Sequence, residues 1–72
     1  METMYFDVNV FHNRKDSYSK FFKMEVKEHF AWQDEDILNE VIKQGVIDSD
    51  EANHADYIEE ISEIEYYELT RR

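Results

Sequence analysis

The stretch Met4-Tyr5-Phe6-Asp7-Val8-Asn9-Val10-Phe11 decides the fold. Met4, Phe6, Val8 and Val10 alternate with Tyr5, Asp7, Asn9 and Phe11, and that period of two marks a β-strand with one fully apolar face. Downstream, His12-Asn13-Arg14-Lys15-Asp16-Ser17 is polar and turn-prone through its Asn, Asp and Ser. A second alternation then sets Phe22, Met24 and Val26 against Phe21, Lys23, Glu25 and Lys27. Two such strands across a loop of this length read as an antiparallel hairpin.

Beyond the hairpin the period changes. Asp34 is placed to cap a helix, with Glu35 and Asp36 favouring the positive end of its dipole. Ile37, Leu38, Val41 and Ile42 form one stripe, and Gly45 can take the left-handed terminating conformation. Trp32, in the link before this helix, is expected to close one end of the core. Asp48-Ser49-Asp50-Glu51-Ala52-Asn53-His54 has no periodic apolar face and reads as a loop or a single helical turn. Asp56 to Ile61 makes a third short strand. Ser62-Glu63-Ile64-Glu65 is a capping box, and Ile61 with Tyr66 occupies the positions of a hydrophobic staple. A helix from Glu63 to Thr70 should bury Ile64 and Tyr67, bring Leu69 near the hairpin, and place Arg71 and Arg72 at its negative end. The order β-β-α-β-α predicts an α+β fold: a small, three-stranded, mostly antiparallel sheet with two helices packed on one face.

Seventy-two residues without Pro, and with one Gly, contain no linker, so a single compact domain over 1–72 is expected. Eleven aromatic side chains among 72 residues argue against a disordered acidic tail. The absence of Cys suits a reducing cytosol, and Met1-Glu2-Thr3 opens no secretory signal, so a complete, soluble, cytoplasmic product is expected. No apolar run approaches the roughly 20 residues that span a bilayer.

The charge is lopsided. Residues 1–33 balance five basic groups against five acidic ones, whereas 34–70 carry thirteen carboxylates against Lys43 alone, and the total is −10. Such a field repels nucleic acid and anionic lipid and attracts basic protein surfaces. Lys20, Lys23 and Lys27 with Phe21 and Phe22 resemble a base-stacking strand face, but phosphate contact dominates such affinity and the remaining charge opposes it. Direct nucleic-acid binding and membrane binding are therefore not expected.

Chemistry finds little footing. His12, His29 and His54 are scattered without metal-ligand spacing, and there is no thiolate. Asp48-Ser49-Asp50-Glu51-Ala52-Asn53 starts like a calcium loop but has Ala52 and Asn53 where a ligand and a glycine are needed. One glycine builds no phosphate loop, and Ser17, Ser19, Ser49 and Ser62 have no neighbouring His-and-acid arrangement. The expectation is a protein that is not an enzyme, with no metal and no cofactor.

The carboxylates fall into two candidate binding rows. One comprises Asp34, Glu35, Asp36, Glu40, Asp48, Asp50 and Glu51; the other comprises Asp56, Glu59, Glu60, Glu63, Glu65 and Glu68. Rows of this kind can imitate duplex DNA, which carries one charge per about 1.7 Å of axis. Tyr5, Phe11, Phe21, Tyr57 and Tyr66 lie off the core stripes, and aromatics rimmed by charge make binding hot spots. Tyr57 and Tyr66 join the candidate partner-binding set. A homodimer through the open sheet face would use the same aromatics, and the sequence leaves the two open.

A Cys-free, Pro-free acidic domain of this size, ending in Asp56-Tyr57-Ile58-Glu59-Glu60-Ile61-Ser62-Glu63-Ile64-Glu65-Tyr66, resembles the small inhibitors encoded by bacteriophages and mobile elements, of anti-CRISPR or antirestriction type. The resemblance covers the whole chain in composition and rests on no diagnostic motif. It implies a non-enzymatic inhibitor in the host cytoplasm that binds a basic, nucleic-acid-binding surface of a host nuclease or defence complex by acidic mimicry. The alternative is a small dimeric regulatory or interaction protein that binds a host transcription or replication protein without mimicry.

Overall fold

A computed structural model describes residues 1–71, so the expectation for Arg72 lies outside the described residues. Along the chain run β1 (Glu2–Asn13), β2 (Asp16–Val26), α1 (Asp34–Lys43), α2 (Ser49–Asn53), β3 (Ala55–Ile61) and α3 (Glu63–Thr70). The strands form one sheet in the order β2-β1-β3, antiparallel throughout. This is the α+β arrangement the alternation and capping signals predict. The acidic linker Asp48–His54 contributes a third, five-residue helix.

The hairpin is tighter than its polar sequence suggests. Asn13 pairs with Asp16, so only Arg14 and Lys15 turn, and the Asn13 side chain accepts the Lys15 N–H at 2.9 Å. His12, Asn13, Asp16 and Ser17, expected in a loop, belong to the strands.

Period two sends Met4, Phe6, Val8 and Val10 to one face, all at most 2% exposed. There Met4, Phe6 and Val8 meet Phe22, Ile37, Val41 and Ile47 in one cluster. The Phe6 ring stacks on Phe22 and takes the edge of Trp32, each at 5.3 Å between centroids. Trp32 thus closes the core as its position predicts.

Gln33, not Asp34, is the N-cap of α1. The Asp36 carboxylate reaches back to the Gln33 N–H at 3.0 Å, which leaves all three acids in the first turn, where the dipole favours them. At the other end Gly45 takes φ +76°, with Val46 N–H donating to Val41 O and Gly45 N–H to Ile42 O. That double bond is the Schellman termination. A Cβ on Gly45 would meet nothing within 4 Å, so any side chain there is opposed by backbone strain alone. α1 lies across the sheet. Trp32, just before it, donates to Glu60 on β3 at 3.0 Å, and Gln44, just after it, donates to the Lys23 carbonyl on β2 at 3.1 Å.

The helices do not share one face, contrary to the sequence expectation. Tyr5 and Ile61 are cross-strand neighbours on the reverse of the sheet, and the chain turns over them into α3. Tyr5 lies off the core stripe, as the alternation predicts, but is only 9% exposed, because α3 covers it: its ring lies 5.1 Å from Tyr66 and 6.2 Å from Tyr67. α3 begins at the predicted Ser62, with Ser62 Oγ accepting the Glu65 N–H at 3.1 Å, but the expected capping box is half-formed: the Glu65 carboxylate accepts from the Ser62 hydroxyl at 3.4 Å rather than from its backbone N–H. Its buried line is different from that expected: Ile64 is 72% exposed, Tyr67 48% and Leu69 43%, while Tyr66 packs inward. At 3.6 residues per turn, Tyr66 and Ile64 point about 200° apart, so seating Tyr66 on Tyr5 turns Ile64 to water.

Candidate functional site: an acidic rim around β3

The sheet order separates the charges. Lys20 and Lys23 lie on β2 and Lys27 just beyond it, at one edge, while β3 forms the other edge with Asp56, Glu59 and Glu60. Asp34, Glu35 and Asp36, exposed in the first turn of α1, follow directly on the segment that contacts Glu60. Glu60 is tied to that segment by Trp32 Nε1 at 3.0 Å and by His29 Nε2 at 2.9 Å. Among the described residues no lysine or arginine lies in ion-pair contact with a carboxylate, and the single close contact of this kind is His29 Nε2 with Glu60. The hairpin lysines therefore leave the acids uncompensated.

The first expected row does not form as one line. Glu40 is carried away toward β2, half-buried, and accepts from Gln44 Nε2 at 3.2 Å. Asp48 and Glu51 cap α2 reciprocally, at 2.8 and 3.1 Å, and Asp50 sits in that exposed first turn. Glu51 also accepts the Tyr18 hydroxyl of β2.

The second row is divided by strand alternation. Glu60 lies on the α1 face, opposite Phe6, and Glu59 on the reverse, opposite Asp7. Asp56 is exposed at the bulge where pairing shifts between Asn9 and Val10, and Tyr57, 46% exposed, lies opposite Asn9. Glu63 accepts the Tyr5 hydroxyl at 3.2 Å, and Tyr66 packs on the Tyr5 ring, so both hold α3 down. Glu65 and Glu68 are exposed on α3. The rim that remains is Asp34, Glu35, Asp36, Asp56, Glu59 and Glu60.

Two features escaped the sequence. Asp7, in the middle of β1, is a half-buried acid directly across from Glu59, and only the β1–β3 register reveals it. His12 and His54, scattered in sequence, meet with ring centroids 4.4 Å apart, and His12 Nε2 lies 3.4 Å from the Tyr18 hydroxyl. Even so, no group of three or more His, Cys, Asp or Glu among the described residues could hold a metal ion. Nor is any helix among them long and apolar enough to cross a membrane.

The tyrosines bonded to carboxylates titrate late. The bond to Glu51 pushes the Tyr18 phenol up to about 12, helped by burial and by the charges of Glu51, Asp16 and Asp48. Burial, then the bond to Glu63, raises Tyr5. A phenol raised only in the folded state contributes stability that is complete below the unfolded value of 10.0 and lost as pH climbs toward 12. Phenolate absorbance should thus show a native ionisation step near pH 12, and Glu51→Gln should bring that step down. A step that Glu51→Gln leaves in place would contradict the Glu51 contact.

Comparison with protein-family models, with curated proteins and with solved structures finds no match.

Proposed function

We propose that this chain is a non-enzymatic inhibitor that acts in the host cytoplasm, laying its β3 rim on the basic nucleic-acid-binding surface of a host nuclease or defence complex. The observation that carries this reading is the segregation of charge: uncompensated carboxylates around β3 and the hairpin lysines at the opposite edge. A field with that polarity steers a basic groove toward one side of the inhibitor and turns the lysines away from it. Asp34, Glu35, Asp36, Asp56, Glu59 and Glu60 supply steering and register. Tyr57 is the aromatic beside them that can be desolvated on contact.

The test is capture of host proteins on the immobilised chain, followed by elution with duplex DNA at constant salt. Proteins released by the duplex must be nucleic-acid binders, and their affinity for the chain should fall steeply as salt shortens the Debye length from about 10 Å at 0.1 M. Captured proteins indifferent to both DNA and salt would overturn the reading. The competing reading, a dimeric regulatory module binding a transcription or replication protein, draws on the exposure of Phe11 and Tyr57, 45% and 46%. It predicts that Phe11→Ala abolishes binding while rim neutralisation does not.

A further inference from the structure

The sheet uses only one side of β3. The Phe11 N–H donates to the His54 carbonyl at 2.9 Å, so the main chain of Phe11 faces β3. The extra residue of the bulge, Asp56, lies on β3, and the alternation of β1 runs unbroken to Phe11. Main-chain groups change sides at each residue of a strand. Asn9, Asp7 and Tyr5 therefore face β3 as well, and their partners Tyr57, Glu59 and Ile61 are turned inward. Ile58 and Glu60 present their N–H and C=O groups outward. The opposite edge gives the same parity: Lys23, paired with Tyr5, has its carbonyl outward, where Gln44 Nε2 donates to it at 3.1 Å. The β2 edge thus carries a side-chain cover. No described residue hydrogen-bonds the outward main chain of Ile58 or Glu60. Such an edge is a template for another strand unless Lys, Pro or a bulge guards it. β3 contains neither Lys nor Pro, and its bulge lies at one end.

We propose that the outer edge of β3 takes an extended, basic segment of a partner protein as a fourth strand of the sheet. The inference rests on the rim reading for the sign of the partner's charge, and it adds the means of attachment: the acids attract, and the main chain of Ile58 and Glu60 binds. With Ile58 and Glu60 at the hydrogen-bonded positions, Tyr57 and Glu59 fall at the intervening ones, where side chains of an antiparallel pair come closest. Both are exposed and share the reverse face of the sheet. A Lys or Arg opposite Glu59 makes an opposite-charge cross-strand pair, and an Arg opposite Tyr57 stacks on its ring. A second copy of the chain is disfavoured at this edge. Two β3 edges would set acid against acid, and the β2 edge of another copy carries the Gln44 cover.

The full chain, isotopically labelled, is titrated with a capped Thr-Lys-Val-Arg-Val-Lys-Thr peptide at about 0.15 M salt. Two further versions are N-methylated at one or the other alternate set of amides, which removes the donors of one peptide edge and keeps every charge. The parent peptide should slow solvent exchange of the Ile58 and Glu60 amides. One methylated version should bind about tenfold more weakly and the other like the parent. A version with Glu at its three basic positions should lose binding, and Glu59→Gln should weaken the parent peptide about threefold. Equal binding of the two methylated versions, with shifts centred on residues 34–36, would remove the added strand and leave the rim attraction standing. Equal binding of the Glu version would overturn the basic partner and the rim reading together. A sedimenting dimer that the parent peptide dissociates would overturn the proposal by giving the edge to a second copy.

Discussion

Phe6→Ala should leave the protein largely unfolded at physiological temperature. The ring is fully buried, stacked on Phe22 and edged by Trp32, so it joins the sheet, the hairpin and the link into α1. Truncating a buried phenylalanine costs about 3–5 kcal/mol through lost transfer energy and the cavity left behind. A domain of this length has about 4–11 kcal/mol in all, at 0.05–0.15 kcal/mol per residue. No disulfide is present to limit the unfolded state. Far-ultraviolet circular dichroism and a urea titration read the outcome directly. Phe11→Ala, on the same strand but 45% exposed, is the control and should change stability by less than about 1 kcal/mol. If the two variants melted together, the core would not be on the face described.

The second large effect concerns charge placement, not charge total. Asp56→Lys with Glu59→Lys reverses two rim acids, whereas Glu25→Lys with Glu28→Lys makes the same change in net charge on β2 and just beyond it. At low salt the rim double variant should associate with its captured target up to about a hundredfold more slowly, within the range that electrostatic steering supplies. The β2-side variant should change the rate only slightly. Glu60 and Glu63 are left out deliberately, because Trp32, His29 and Tyr5 depend on them and their loss would confuse folding with binding. Stopped-flow association over a salt series separates the cases. Equal slowing by both variants would reduce the acidity to a property of the whole molecule and remove the rim.

Much of the architecture is local and therefore readable. The β1 alternation, Gly45 at φ +76°, and Ser62 with Glu65 depend on neighbours a few residues away, and each signal has its physical consequence in the structure. The cap of α1 shows the limit of such reading. Asp34 has the right chemistry, but the chain enters the helix one residue earlier, at Gln33, and Asp36 supplies the reciprocal bond. α3 went further astray, since an eight-residue helix with apolar side chains all round carries no stripe to say which side is buried.

From its sequence alone the chain determines which segments are strands and helices, which strand face is apolar, and that its acid is concentrated after residue 33. The reason is that hydrogen-bonding period, capping and composition act over short distances along the backbone. Only the tertiary structure decides that β3 pairs with β1 rather than with β2, and from that choice the rest follows. The pairing sends lysines and carboxylates to opposite edges and lets the Trp32–Glu60 contact draw the start of α1 to the acidic edge. The β1–β3 register also sets Asp7 against Glu59. Residues far apart in sequence meet through strand order and register, and those are set by the packing of the whole core rather than by any one segment.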